Sequence, residues 1–151
     1  MHSLVRRYIK TAILFLVAGL AIGGWLMVRR ELFGSYASPY AVSAHTHAIL
    51  VGFVMMMILG VALWLFPRPD RADARYRPGA ADAAYWLLTV GTAGRVLGEL
   101  LRPSMPSLWL RWAVVLLGFA QLAGILLFFH TMWGRIRAVG SQAREARGER
   151  F

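Results

Sequence analysis

The sequence predicts an all-α integral membrane protein, folded as an up-down bundle of four transmembrane helices with both termini in the cytoplasm. Hydrophobic residues make up 58% of the 151 residues and charged residues only 16%, whereas a soluble domain carries about 25% charged residues. Four long apolar segments each reach or approach the ~20 residues that a helix needs to cross the hydrocarbon core. Most basic residues would lie on one side of the membrane if all four segments cross it, as the positive-inside rule requires.

The composition also excludes several classes of protein. The chain has no cysteine, so it forms no disulfide, thiolate metal site or iron–sulfur cluster. No segment alternates apolar and polar residues over ~10 positions, which argues against a β-barrel. The net charge of +10 accompanies long apolar segments. We therefore expect anionic lipid headgroups as its partner and no nucleic acid.

The sequence supports the four predicted spans unequally. We expect them at about residues 11–28, 43–66, 83–101 and 108–133. No small-x-small cleavage site directly follows the first apolar core, so we expect a retained span and not a removed signal peptide. The third span is the weakest, because Arg95 and Glu99 lie near its end, but an odd number of crossings would break the charge pattern. Proline and glycine predict chain reversals at 67–81 and 102–107.

The basic residues set the orientation. Twelve of the 17 fall on one predicted side. They are Arg6, Arg7, Lys10, Arg68, Arg71, Arg75, Arg77, Arg135, Arg137, Arg144, Arg147 and Arg150. Positive residues stay in the cytoplasm, which predicts a multi-pass protein of the bacterial inner membrane. Residues 1–134 would form the membrane domain and 135–151 a basic cytoplasmic tail.

Ionisable or strongly polar side chains inside a bilayer are costly, so each is a functional hypothesis. The set comprises His45, His47, Arg95, Glu99, Gln121 and His130. In a regular helix, His45 and His47 point about 200° apart. They therefore suit two separate partners and not one chelated metal ion, unless the helix begins after them. The alternative is two interfacial histidines bonded to water or loop carbonyls.

Segment 44–68, with its His-x-His pair, Gly-Phe, Met-rich run, second glycine and closing Pro-Arg, resembles one helix of subunit I of heme–copper oxidases. The nearest branch is that of cbb-type cytochrome oxidases and nitric-oxide reductases. The resemblance implies heme b. It implies His45 as axial ligand of a gas-reactive heme and His47 as ligand of an electron-carrying heme. It also implies Arg95 or Arg102 as partners of the heme propionates. The alternative is that Arg95 and Glu99, four residues apart, neutralise each other.

The sequence also differs from that family, and the differences limit which cofactors are expected. Subunit I has many more spans than four, and the further histidines that bind its copper have no counterpart here, so copper is not expected. His130 would lie about 25 Å from His47 along the membrane normal at 1.5 Å per residue. It would hold a second, inner heme or simply anchor at the interface. The heme iron would then be five-coordinate, take a sixth bond from Met27, or take a histidine from a second copy of the chain.

These residues predict a membrane heme b protein with one or two hemes. It would transfer electrons or bind or reduce a small gas such as oxygen or nitric oxide, without proton pumping. As an enzyme it would be a heme-dependent oxidoreductase, working as a homo-oligomer or with a respiratory partner subunit. The alternative is a cofactor-free structural or assembly subunit of a membrane respiratory complex.

Overall fold

All regular structure in the described part of the chain is helical, which confirms the predicted all-α class. The computed structural model describes residues 3–66 and 78–136, together with 144, 147 and 148. The four helices are α1 (Ser3–Phe33), α2 (Pro39–Leu65), α3 (Pro78–Leu101) and α4 (Leu108–Met132), with a 3₁₀ turn at Trp133–Arg135. Within α2, the backbone is α-helical over Pro39–Thr46, π-helical over His47–Met55 and α-helical again over Met56–Leu65.

Local chemistry explains where the helices begin and end. Ser38 caps α2, because its Oγ accepts a hydrogen bond from the Ala41 N–H at 3.2 Å, and Pro39 suits the first helical position. Phe66 ends α2 in an extended conformation, as expected for a residue before a proline. Gly34, with φ of +57°, follows the end of α1. Since α3 begins at Pro78, the expected loop at 67–81 is too long, and its last four residues are helical.

Three of the four described helices are long and apolar enough to cross a membrane by length and composition. They are Ser3–Phe33, Pro39–Leu65 and Leu108–Arg135. The 24-residue helix α3 is not among them. It carries Arg95 and Glu99, the two residues that made it the weakest predicted span.

Glycines bring α1 and α2 into close contact. A Cβ at Gly52 would collide with the ring of Phe15, and a Cβ at Gly19 would lie 2.5 Å from Ile49 Cδ1. Gly60 lies against Tyr8 in the same way. The paired positions rise along α2 as they fall along α1, so the two helices run in opposite directions. Gly19 and Gly23, in a small-x-x-x-small spacing on α1, both lie against α2, at Ile49 and His45 respectively.

The second helix pair, α3 and α4, packs just as closely. A Cβ at Gly91 would lie 2.9 Å from the Leu117 carbonyl oxygen, and one at Gly124 would lie 3.0 Å from the Leu88 backbone nitrogen. Helix α2 joins the pairs by lying against both α1 and α3.

Packing is uneven along the bundle. The main apolar core surrounds Tyr8, Tyr85 and Phe128, which are all buried. At the other end, the apolar cluster of buried side chains among the described residues is small and consists of Ala44, Ala48 and Val96. The polar side chains and both clefts described below lie toward this thinly packed end, where fewer large apolar side chains fill the space between helices.

Candidate functional site: two imidazoles on opposite sides of α2

The π-helical segment of α2 begins at His47. It covers nine residues, ending at Met55, whereas π-helix usually occurs as a single-turn bulge and is frequent at functional sites. The predicted angle of about 200° between the two imidazoles assumed a regular α-helix through both histidines. The pair lies at the junction, with His45 on the α-helical side and His47 as the first π-helical residue.

His45 points toward α1. Its Nδ1 lies 2.9 Å from the carbonyl oxygen of Gly19, and its ring fills the space beside Gly23, where a Cβ would lie 2.7 Å from the imidazole Cε1. A carbonyl only accepts hydrogen bonds, so Nδ1 donates and carries the ring proton of the neutral imidazole. This fixes the tautomer in which Nε2 keeps its lone pair.

A cleft of about 430 Å³ adjoins His45. Its lining comprises Gly23, Leu26, Met27, Arg30, Tyr36, Ala37, Val42 and His45. The structure thus brings Met27, one of the three alternatives for completing the iron coordination, to the same cleft as His45. The arginine in this cleft is Arg30, whose guanidinium also pairs with Glu31 at 2.7 Å; the resemblance had pointed to Arg95 or Arg102.

His47 points to the other side of α2. Its Nδ1 lies 2.8 Å from the carbonyl oxygen of Ser43, one turn earlier, and 3.7 Å from Glu99 Oε2. By the same reasoning, Nδ1 donates and Nε2 keeps its lone pair. His47 lines a second cleft, of about 320 Å³, together with Val51, Arg95, Val114, Val115, Gly118, Phe119, Gln121, Leu122 and Ile125.

A buried polar network lies behind this second cleft. Glu99, only 4% exposed, accepts hydrogen bonds through Oε1 from Arg95 Nε at 3.0 Å and from Ser43 Oγ at 2.9 Å. Arg95 Nη1 also donates to Gln121 Oε1 at 3.2 Å, and Gln121 Nε2 donates to Thr92 Oγ1 at 3.0 Å. The predicted Arg95–Glu99 neutralisation is therefore present. Glu99 Oε2 is buried without a hydrogen-bond partner among the described residues and lies 3.7 Å from His47 Nδ1.

Arg102 does not join this network through any described hydrogen bond. Its guanidinium lies 5.1 Å from the centre of the Tyr40 ring, a cation–π contact at the start of α2, and its Nη1 is buried without a hydrogen-bond partner in the described chain. His130 is exposed in the last turn of α4 and lines neither cleft. The candidate residues thus separate into two sites, with His45 and Met27 in one and His47 and Arg95 in the other.

Sequence reasoning missed several members of these sites. Ser43 had a usable signal, because it lies four residues before His47 and therefore on the same helix face. Thr92 and Arg30 had none, since a hydroxyl is unremarkable in an apolar helix and Arg30 belongs to a basic pair at a helix end. Among the described residues, no three His, Asp or Glu side chains lie together as a metal-binding group.

Comparisons with protein-family models, with curated proteins and with solved structures give no match.

Proposed function

We propose that this chain is a heme b-binding protein of the bacterial inner membrane, working in electron transfer or small-gas binding. The observation that carries the proposal is the anchoring of both imidazoles. Each donates its Nδ1–H to a backbone carbonyl, and Nε2 is left without a hydrogen bond in the described chain. Metal-ligating histidines almost always show this arrangement, because the second-shell bond fixes the ring and the tautomer.

The His45 cleft fits a heme better than the His47 cleft. It combines an imidazole nitrogen, the thioether of Met27 and the guanidinium of Arg30, which can pair with a propionate. Because residue 23 is a glycine, no side chain at this position collides with the His45 ring. The His47 cleft offers no thioether and no second imidazole among its described lining residues. We therefore propose one heme, on His45; His47, Arg95 and Arg102 remain the residues that a second heme would use.

A bound heme supplies one-electron redox chemistry, and its axial ligands set its potential. The chain's own part is to hold the iron through His45, to keep that ring in one tautomer through the Gly19 carbonyl, and to place Met27 within the same cleft. With Met27 as a ligand, the site would favour electron transfer. Without it, the site would leave a coordination position open for oxygen or nitric oxide.

The proposal includes the membrane topology. Three helices meet the length and composition of a span, and we propose that α3 crosses as well, giving an up-down four-span bundle with both termini inside. Glu99 compensates the charge of Arg95, and this neutralisation lowers the cost of burying both in α3.

The visible spectrum of the purified protein tests the heme proposal. Protein from heme-replete cells should show a Soret band and a b-type pyridine hemochrome, and His45→Ala should lose both. His47→Ala is the matched control, since it removes the same side chain from the opposite face of α2 and should keep the heme. Met27→Ala should add a carbon monoxide shift to the reduced spectrum if Met27 is the sixth ligand.

Two results would count against this reading. A His45→Ala spectrum identical to that of the unmodified protein would remove His45 as the ligand. Colourless protein from heme-replete cells would remove the heme altogether and leave the cofactor-free assembly subunit as the explanation.

A further inference from the structure

We propose that the cleft beside His47 binds the headgroup of a lipid-soluble quinol or quinone. The cleft lies between α2 and α4, with Arg95 of α3 contributing to its wall. Its edge on α4 consists of Val115, Phe119 and Leu122, which are 45–63% exposed in the isolated chain. Apolar side chains this exposed on a membrane span face lipid, so a ligand would enter this cleft from the bilayer.

The polar groups of the cleft match a quinol in their chemistry. Three of its lining residues are polar, namely His47, Arg95 and Gln121, and all others are apolar or glycine. The Nε2 lone pair of His47 accepts a hydrogen bond from a quinol hydroxyl. Arg95 carries five N–H donors and uses Nε and Nη1 internally, so donors remain for a carbonyl or hydroxyl oxygen. A volume of about 320 Å³ suits a single-ring headgroup, at the lower end of ligand pockets.

Glu99 Oε2 lies 3.7 Å from His47 Nδ1, and the Ser43 carbonyl oxygen lies 2.8 Å from the same nitrogen. Both partners hold the imidazole from its Nδ1 side, which leaves Nε2 as the acceptor for a quinol hydroxyl.

A hydrocarbon tail alone does not account for this cleft, because it uses none of the three polar groups. A water-soluble anion does not account for it either, because it would have to cross the apolar edge on α4. A molecule with an apolar tail and a ring bearing two oxygen atoms satisfies both the polar wall and the lipid-facing entrance.

Equilibrium dialysis of purified, quinone-depleted protein in detergent micelles against decylubiquinol, kept reduced under argon, tests the inference. We expect saturable binding with one molecule per chain. His47→Ala should raise the Kd about tenfold, the effect of losing one good hydrogen bond. His130→Ala, which changes an exposed histidine outside both clefts, should leave the Kd unchanged. Decanol, which offers the tail without the ring, should not compete.

A second pair of variants changes apolar residues of α4 and leaves the hydrogen bonds of Arg95, Glu99 and Gln121 intact. Val115→Trp places a large side chain at the cleft edge and should weaken binding, whereas Leu116→Trp, on the neighbouring lipid-facing position outside the cleft, should not. Absence of saturable binding, equal competition by decanol, or unchanged binding in both His47→Ala and Val115→Trp would overturn the proposal.

This test is separate from that of the heme. Quinone binding by colourless protein would overturn only the heme proposal, and heme without quinone binding would overturn only this one. Loss of the Soret band in His47→Ala would show that His47 holds iron, and that result would overturn the quinone site.

Discussion

Replacing Glu99 with alanine should destabilise the bundle strongly, because it leaves a cation without its counter-ion. In the structure, Glu99 is 4% exposed and accepts hydrogen bonds from Arg95 and Ser43. Glu99→Ala removes both bonds and the only carboxylate that pairs with Arg95 among the described residues. The guanidinium then remains in a predicted membrane span with Gln121 as its described hydrogen-bond partner.

The magnitude follows from burial. Removing one partner of a buried ion pair typically costs about 3–5 kcal/mol. The Arg95 side chain is 27% exposed and keeps its bond to Gln121, so we expect the lower end, about 3 kcal/mol. The double variant Glu99→Ala with Arg95→Ala removes both charges and leaves no uncompensated ion. It should therefore cost less than Glu99→Ala alone, and not the ~6 kcal/mol that two independent losses of about 3 kcal/mol each would give.

Reversible unfolding in mixed micelles with a rising fraction of dodecyl sulfate, followed by circular dichroism, measures these free energies. The chain supplies its own control in the Arg7–Asp82 pair, whose side chains are 40% and 41% exposed. Asp82→Ala should cost about 1 kcal/mol or less, as exposed pairs do. Equal costs for Asp82→Ala and Glu99→Ala, or additive costs in the double variant, would refute the reasoning.

Two further predictions concern the heme cleft and the topology. Gly23→Ala should reduce heme retention, because the new Cβ would lie 2.7 Å from the His45 ring, while Gly24→Ala, with no atom near the added Cβ, should not; equal retention in the two variants would contradict this. The chain contains no cysteine, so single cysteines report accessibility cleanly. Ser104→Cys should react with an impermeant maleimide on intact cells and Ala72→Cys only after permeabilisation, and labelling of both from the same side would show that α3 does not cross.

The apolar segments predicted where the four helices lie, but the predicted boundaries were wrong where a helix continues into polar residues. Helix α1 begins at Ser3, eight residues before the predicted span, because the backbone continues as helix through Arg6, Arg7 and Lys10. Hydropathy detects only the part that lies in hydrocarbon, whereas a helix extends into the interface, where charged residues are tolerated. The start of α3 at Pro78 was missed for another reason. In the sequence analysis, proline indicated a loop, although proline also suits the first turn of a helix.

The candidate site was predictable one residue at a time, but not as two groups. The cost of placing a polar side chain inside a membrane was enough to identify His45, His47, Arg95 and Gln121 as candidates. Their grouping depends on which helices are neighbours, and this follows from glycine contacts such as Gly23 against His45. Arg102 illustrates the difficulty. It follows Arg95 by seven residues, a spacing that puts two residues on the same helix face, yet its guanidinium stacks on Tyr40 of another helix.

The surroundings of the two imidazoles suggest different roles for them, although they lie only two residues apart. His45 donates its Nδ1 proton to a carbonyl of α1, which leaves Nε2 to bind a metal in the cleft that also contains Met27. His47 donates to a carbonyl of its own helix and faces a buried carboxylate oxygen at 3.7 Å, and its cleft contains Arg95 and Gln121. One helix would therefore hold a metal on the side packed against α1 and a hydrogen-bonded ligand on the side facing α3 and α4. The two proposals can be tested separately because the two sites lie on opposite sides of α2.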